Sequence, residues 1–102
     1  MEASYLALRD DPLRAEQVAE VLKALAHPLR LRLVASLAGS DLRVGELAAL
    51  LSAPQAIVSQ QLRILRMSGL VRLARESGIA RYQLAEPRLR DLLTCVQGCG
   101  RR

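Results

Sequence analysis

The sequence predicts a mainly α-helical protein of about five helices with one small two-stranded β-hairpin. Apolar residues recur every three to four positions along most of the chain, a spacing typical of amphipathic helices. Hydrophobic residues make up 51% of the 102 residues, yet the chain has no Phe or Trp and only two Tyr. Leu, Ala and Val must therefore fill the core, which favours packed helices over a β-sandwich.

Three prolines mark predicted helix starts. Pro12, Pro28 and Pro87 follow an Asp, a His and a Glu respectively, each of which is a plausible cap. Proline suits the first helical position, because its missing N–H would have no partner there in any case. The apolar residues that follow predict helices over residues 12–26, 28–37 and 87–97.

The middle of the chain predicts two further helices. Leu47, Leu50 and Leu51 recur at helical spacing and indicate a short helix over residues 44–51. A Ser-Ala-Pro break follows, because proline cannot continue a helix. The next helix, the fourth in chain order, is predicted over residues 55–68.

Beyond Gly69 the period of the apolar residues changes from helical to two. Residues 71–75 and 79–84 alternate around Ser77-Gly78, a pattern that predicts a β-hairpin. With this hairpin, the chain is predicted to be a single domain over residues 1–102, with loose ends at 1–10 and 100–102.

Charge favours a polyanionic partner. The formal net charge is +5 and the pI is about 10.2, and Lys23 is the single lysine among fifteen basic residues. Arginine makes forked hydrogen bonds to phosphate and to guanine. No segment reaches the roughly 18 apolar residues of a membrane helix, and the N-terminus lacks a signal-peptide pattern, so we expect a cytoplasmic protein.

The fourth helix carries the main functional prediction. Val58, Leu62 and Leu65 fall on one side and must face the core. The opposite side suits base edges and phosphates, because Gln pairs with adenine, Ser with phosphate or a base edge, and Arg with guanine or phosphate. An ordinary solvated face is the alternative. The candidate DNA contacts of this helix are Gln55, Ser59, Gln60 and Arg63, and Ala56 and Met67 point the same way.

The hairpin adds a second basic element. Arg72 lies on its first strand, and Arg75 and Arg81 flank the turn, where they are placed to straddle a phosphate backbone or to reach into a minor groove. The alternative is that these charges only keep an exposed strand soluble. A short helix, a longer helix and a basic hairpin in this order predict a winged helix-turn-helix, in which one helix enters the major groove.

Three segments carry a family resemblance. Residues 22–33 (LKALAHPLRLRL), 58–65 (VSQQLRIL) and 68–71 (SGLV) occur in an order and spacing that resemble the ArsR/SmtB family of bacterial winged-helix repressors. Two departures concern the recognition helix: Gln60 and Gln61 stand where His is frequent, and Pro54 replaces the usual Ser cap. The operator sequences of the family therefore do not predict the operator of this chain.

The resemblance implies a homodimer that binds an imperfectly palindromic operator and represses transcription until an inducer lowers its affinity for that operator. The first and last helices would form the dimer interface. Its predicted residues are Leu13, Val18, Val21, Leu22, Leu89, Leu92, Leu93 and Val96.

The inducer site is predicted from the cysteines. Arsenic- and cadmium-sensing relatives carry a Cys-x-Cys pattern where this chain has Arg43 and Gly45, and the single His27 is expected to be a cap or a buried hydrogen-bonding residue. Cys95 and Cys99 remain. They could bind a soft ion such as As(III), Cd(II) or Cu(I), with a third ligand from elsewhere, or respond to an oxidant, or play no sensing part.

Two other function classes are alternatives to a DNA-binding repressor. An enzyme is not expected, because the chain has no Gly-rich phosphate loop and no recognisable pairing of a nucleophile with a base. A winged helix used as a protein-interaction module is the stronger rival. That reading predicts an apolar or acidic outward face on the fourth helix.

Overall fold

The computed structural model describes residues 5–100, and over these residues it contains six helices and one antiparallel hairpin. From Pro12 onward the order of elements is the predicted one, so the predicted fold class is confirmed. None of the helices in this range combines the length and apolar character needed to cross a membrane. The elements are α1 (Leu6–Asp10), α2 (Pro12–Leu25), α3 (Pro28–Gly39), α4 (Val44–Leu51), α5 (Gln55–Met67), β1 (Val71–Glu76), β2 (Ile79–Leu84) and α6 (Leu89–Gln97).

Side-chain caps begin α2 and α3. The Asp11 carboxylate accepts hydrogen bonds from two backbone N–H groups in the first turn of α2. At α3, the Nδ1 atom of His27 accepts hydrogen bonds from the N–H groups of Leu29 and Arg30, at 3.1 and 3.4 Å. These groups have no partner within the helix, so both caps satisfy donors that would otherwise be unpaired. The interpretation of His27 as a helix cap is confirmed.

Two predicted boundaries were wrong. Part of the supposed N-terminal loose end is helical, since Leu6–Asp10 forms α1; five residues are too few to show a helical period. The last helix begins at Leu89, because the N–H groups of Leu89, Arg90 and Asp91 bond to carbonyls three residues back and close a tight turn over Pro87 first. Residues 1–4 and 101–102 of the predicted loose ends lie outside the described residues.

Leucine and valine build the core, as predicted. The side chains of Leu33 and Val34 on α3 are fully buried, and α3 packs against α4, α5, α6 and β2. Each buried Leu or Val stabilises the fold by about 1.5–3 kcal/mol relative to an exposed one. The other buried residues are Ala24, Leu25, Leu37, Leu47, Leu51, Val58, Leu62, Leu65, Leu70, Val71, Leu84 and Leu89.

A two-residue turn closes the hairpin. Ser77 and Gly78 have φ values of 52° and 80°, the left-handed pair that a tight hairpin with matching strand twist requires. Leu42 forms a short antiparallel bridge to Tyr82, with backbone N···O distances of 3.2 and 2.7 Å. The segment before α4 therefore extends the hairpin at its base and fixes the hairpin against the helices.

The His27 cap yields a stability prediction. We expect His27→Ala to lower the free energy of unfolding by about 1 kcal/mol, because the first N–H groups of α3 lose their acceptor. Urea denaturation followed by circular dichroism measures the change. His27→Asn, which restores a capping side chain, serves as the control and should recover most of the loss. Equal stability of the wild type and His27→Ala would show that the cap contributes nothing.

Candidate nucleic-acid interface

The outward face of α5 is formed as the sequence predicts. Ser59, Gln60 and Arg63 are all exposed. On the opposite side Val58, Leu62 and Leu65 have no exposed surface. Because these three apolar side chains fix the rotation of α5 about its axis, the three polar ones project together into solvent.

Gln55 lies at the start of α5 and points toward α4. Its side-chain oxygen is 3.7 Å from the position that a Cβ atom on Gly45 would occupy. The preceding Pro54 is the N-cap residue of α5 and makes no side-chain hydrogen bond to the helix. The first backbone N–H groups of α5 thus have no side-chain cap. Unpaired N–H groups at the start of a helix can bind a phosphate oxygen.

Arg66 belongs to the same surface and was missed by the sequence analysis. It is exposed one helical turn beyond Arg63, and Arg63, Arg66 and Met67 line a shallow open depression at the end of α5. The spacing of three between the two arginines was the signal that could have found it. Neither guanidinium makes an ion pair with a described residue, so both charges are available to an anion.

The strand register places Arg75 and Arg81 on opposite faces of the hairpin. Arg75 pairs with Ala80, and both lie on the same face of the hairpin as the buried Val71. Arg81 pairs with Ala74, and both lie on the other face. Residues opposite each other share a face, and successive residues alternate. The two guanidinium groups therefore leave the hairpin in different directions.

Arg81 is half-buried and lies near α4. Hydrogen bonds from the backbone and the guanidinium of Arg43 lower the pKa of the Glu46 carboxyl, and the charges of Arg43 and Arg81 add to the effect. Part of the Arg81 charge is therefore balanced within the protein. Arg75 is exposed and is the better placed of the two for a phosphate.

Arg72 is held by the protein. Its Nε donates to the side-chain oxygen of Gln83 at 2.8 Å, and the Gln83 amide donates to Asp41 at 2.8 Å. This chain of hydrogen bonds links the outer strand to the segment before α4. Arg72 thus stabilises the base of the hairpin.

The two cysteines lie at the exposed end of α6. The helix stops at Gln97, so Cys99 is just beyond it, and the Cys99 thiol donates a hydrogen bond to the Cys95 carbonyl at 3.1 Å. Interaction with the Cys95 thiol, by hydrogen bonding and charge, raises the pKa of Cys99. Within residues 5–100 no three His, Cys, Asp or Glu side chains group closely enough to hold a metal, so Asp91 does not complete a site with the thiols.

The predicted dimer residues differ in how much surface they expose. Leu13, Leu22 and Val96 are 63%, 50% and 46% exposed, whereas Leu89 is 6% exposed and lies in the core of its own chain. An apolar groove runs between α2, α3 and α6, and Leu31 of α3, which the sequence analysis did not select, lines it. The remaining predicted residues, all partly buried, are Val18, Val21, Leu92 and Leu93.

Comparison with known proteins gives consistent matches. Residues 27–72 match the model of the family described as "Bacterial regulatory protein, arsR family". The chain is 46% identical to the biofilm growth-associated repressor of Agrobacterium fabrum over 83 residues, which cover 81% of this chain and 71% of that protein.

Solved structures match over nearly the whole chain. The transcriptional repressor BigR from Xylella fastidiosa superposes with a TM-score of 0.75 and 36% identity, covering 91% of this chain and 98% of that one. A homodimeric winged helix-turn-helix DNA-binding domain from Mycobacterium bovis superposes with a TM-score of 0.75 and 29% identity, covering 94% and 84%.

The interaction between the thiols yields a prediction about reactivity. In Cys95→Ala both the side-chain hydrogen bond and the charge of the neighbouring thiol are lost, so the pKa of Cys99 should fall from its raised value toward that of an ordinary thiol. The rate of Cys99 alkylation by iodoacetamide as a function of pH, followed by peptide mass spectrometry, measures this. Thr94→Ser is the matched control and should leave the profile unchanged. An unaltered Cys99 profile in Cys95→Ala would contradict the interaction between the two thiols.

Proposed function

The chain belongs to the ArsR family of bacterial regulatory proteins, and from this premise we propose that it is a repressor that binds operator DNA as a homodimer in the cytoplasm. The whole chain would act as one DNA-binding domain. Both solved structures described above are regulators or DNA-binding domains, and the one from Mycobacterium bovis is homodimeric. An enzymatic role is not part of this proposal, since the family consists of DNA-binding regulators.

One observation carries the proposal: Ser59, Gln60 and Arg63 project together from a helix whose opposite side is fully buried. We propose that α5 enters the major groove with these side chains and Gln55 near base edges or phosphates. Arg66 adds a phosphate contact, and Arg75 and Arg81 approach the backbone from the hairpin. The same face is neither apolar nor acidic, which disfavours a protein-interaction module.

The dimer surface is proposed from α2 and α6. Leu13, Leu22 and Val96 leave large apolar areas exposed in one chain, and pairing with a second copy would cover them. Two α5 helices would then enter successive major grooves about 34–36 Å apart, which calls for an imperfectly palindromic operator.

We propose that the inducer acts on Cys95 and Cys99. A soft ion such as As(III), Cd(II) or Cu(I) would be bound by both thiolates with a third ligand from the partner subunit. Alternatively, an oxidant would take two electrons and two protons from the pair and leave a disulfide. Both routes are supported by the exposure of the thiols and by the end of α6 at Gln97, which frees Cys99 from helical geometry. A regulator without cysteine sensing is the remaining alternative.

Arg63 provides the test of DNA binding. The wild type should bind a random-sequence duplex at low salt and lose affinity steeply as salt rises, because cations compete for the phosphates. For a duplex selected by the wild type from a random 30-base-pair library, Arg63→Ala should weaken binding by about 1–3 kcal/mol if Arg63 contacts a base. Fluorescence anisotropy measures both affinities.

Arg14→Ala is the matched control for Arg63→Ala. It removes the same charge from an exposed position in the first turn of α2, outside the helix and the hairpin that are proposed to bind DNA. Its affinity for the selected duplex should stay close to that of the wild type. If the two variants lose affinity equally, Arg63 contributes only to the general charge and is not a specific contact.

The cysteines are tested by a double variant. Cys95→Ser, Cys99→Ser should bind the selected duplex as tightly as the wild type but keep that affinity when arsenite or polysulfide is added, whereas the wild type should release the DNA. Release from the double variant would reject cysteine sensing.

A further inference from the structure

Arg30 joins the helix proposed to form the dimer to the helix proposed to read DNA. Its Nε donates to the Ala24 carbonyl at 2.6 Å, and its Nη1 donates to the side-chain oxygen of Gln61 at 2.8 Å. Ala24 lies in the last turn of α2, and Gln61 lies in the middle of α5. A single half-buried guanidinium therefore touches both helices from the start of α3.

The local chemistry shows why this link is held tightly. A cation in the first turn of α3 opposes that helix's own dipole, but the end of α2 offers the negative end of a second dipole and the Ala24 carbonyl, whose neighbours Lys23 and Leu25 accept backbone hydrogen bonds instead. No described carboxylate pairs with Arg30. Arginine has no acceptor, so Gln61 must present its oxygen to it. Rotation or sliding of α5 against α2 would break a hydrogen bond of a partly buried charge.

We infer that Arg30 is a positioning residue, which sets the angle between the recognition helix α5 and the dimer helix α2 through Gln61. This inference rests on the proposed function. In a dimer built on α2, a change in that angle moves both α5 helices relative to two fixed half-sites. Specific binding depends on this spacing, whereas non-specific binding depends mainly on total positive charge.

The experiment compares Arg30→Met with Arg90→Met. Arg90 is a matched control, because its Nε donates to the Ala38 carbonyl near the end of α3 at 2.7 Å and, among the described residues, it makes no hydrogen bond to α5. Both variants lose one charge and one arginine-to-carbonyl hydrogen bond, and Arg30→Met also loses the bond to Gln61, so its melting temperature should fall further. The measured quantity is the affinity for the wild-type-selected duplex divided by the affinity for random-sequence duplex.

We expect Arg30→Met to lower this ratio by about tenfold, the size of one lost hydrogen bond to a charged group, and Arg90→Met to leave it unchanged. Gln61→Met, which keeps the bond between Arg30 and Ala24, should lower the ratio with a smaller loss of stability. It also keeps the test decisive if Arg30→Met does not fold.

A double variant shows whether Arg30 acts through Gln61. In that case Arg30→Met, Gln61→Met should lower the ratio no further than Arg30→Met alone. The inference is overturned if the double variant lowers the ratio by the product of the two single-variant effects, or if Arg30→Met or Gln61→Met leaves the ratio unchanged. Either result leaves the proposed function intact. If the wild type prefers no duplex over the random pool, the proposed function fails and the positioning role falls with it.

Discussion

Burial of three side chains on α5 is the constraint from which the rest of the surface follows. Val58, Leu62 and Leu65 have no exposed area, and each contributes about 1.5–3 kcal/mol by being buried. Turning α5 about its axis by one residue would expose most of this stripe. The cost of several kcal/mol is comparable to the whole stability of a small domain. The outward side chains therefore have a fixed direction before any DNA is bound.

The arginines differ in the contacts that they make within the protein. Arg30, Arg72 and Arg90 donate to carbonyl or amide oxygens inside the protein and hold helices and hairpin together. Arg63 and Arg66 make no described ion pair and stand on the exposed face of α5. Net charge alone could not separate these groups, because partners distant in sequence determine which guanidinium is left for a phosphate.

The sequence predicted what depends on local patterns. The caps, the helical periods and the tight turn at Ser77-Gly78 are local, and the helix bounds followed within a few residues. The errors have local causes too: α1 is shorter than two helical turns, and the turn over Pro87 postponed the start of α6. The positions of Leu89 and Arg72 depend on packing and strand register, so no pattern near either residue could reveal them.

The position of the thiols relative to α3 and α5 bears on how a signal could reach DNA. Cys95 and Cys99 lie at the end of α6, whose first turn is anchored by the buried Leu89 and by the hydrogen bond from Arg90 to α3. The same helix α3 carries Arg30, which contacts Gln61 on α5. A change at the thiols would thus act on the dimer surface directly and could reach α5 through α3. A coupling of 1–3 kcal/mol is typical of allosteric proteins, and it matches the scale of one or two hydrogen bonds to a charged group. Loss of the hydrogen bond between Arg30 of α3 and Gln61 of α5 would therefore be large enough to separate a bound from a released repressor.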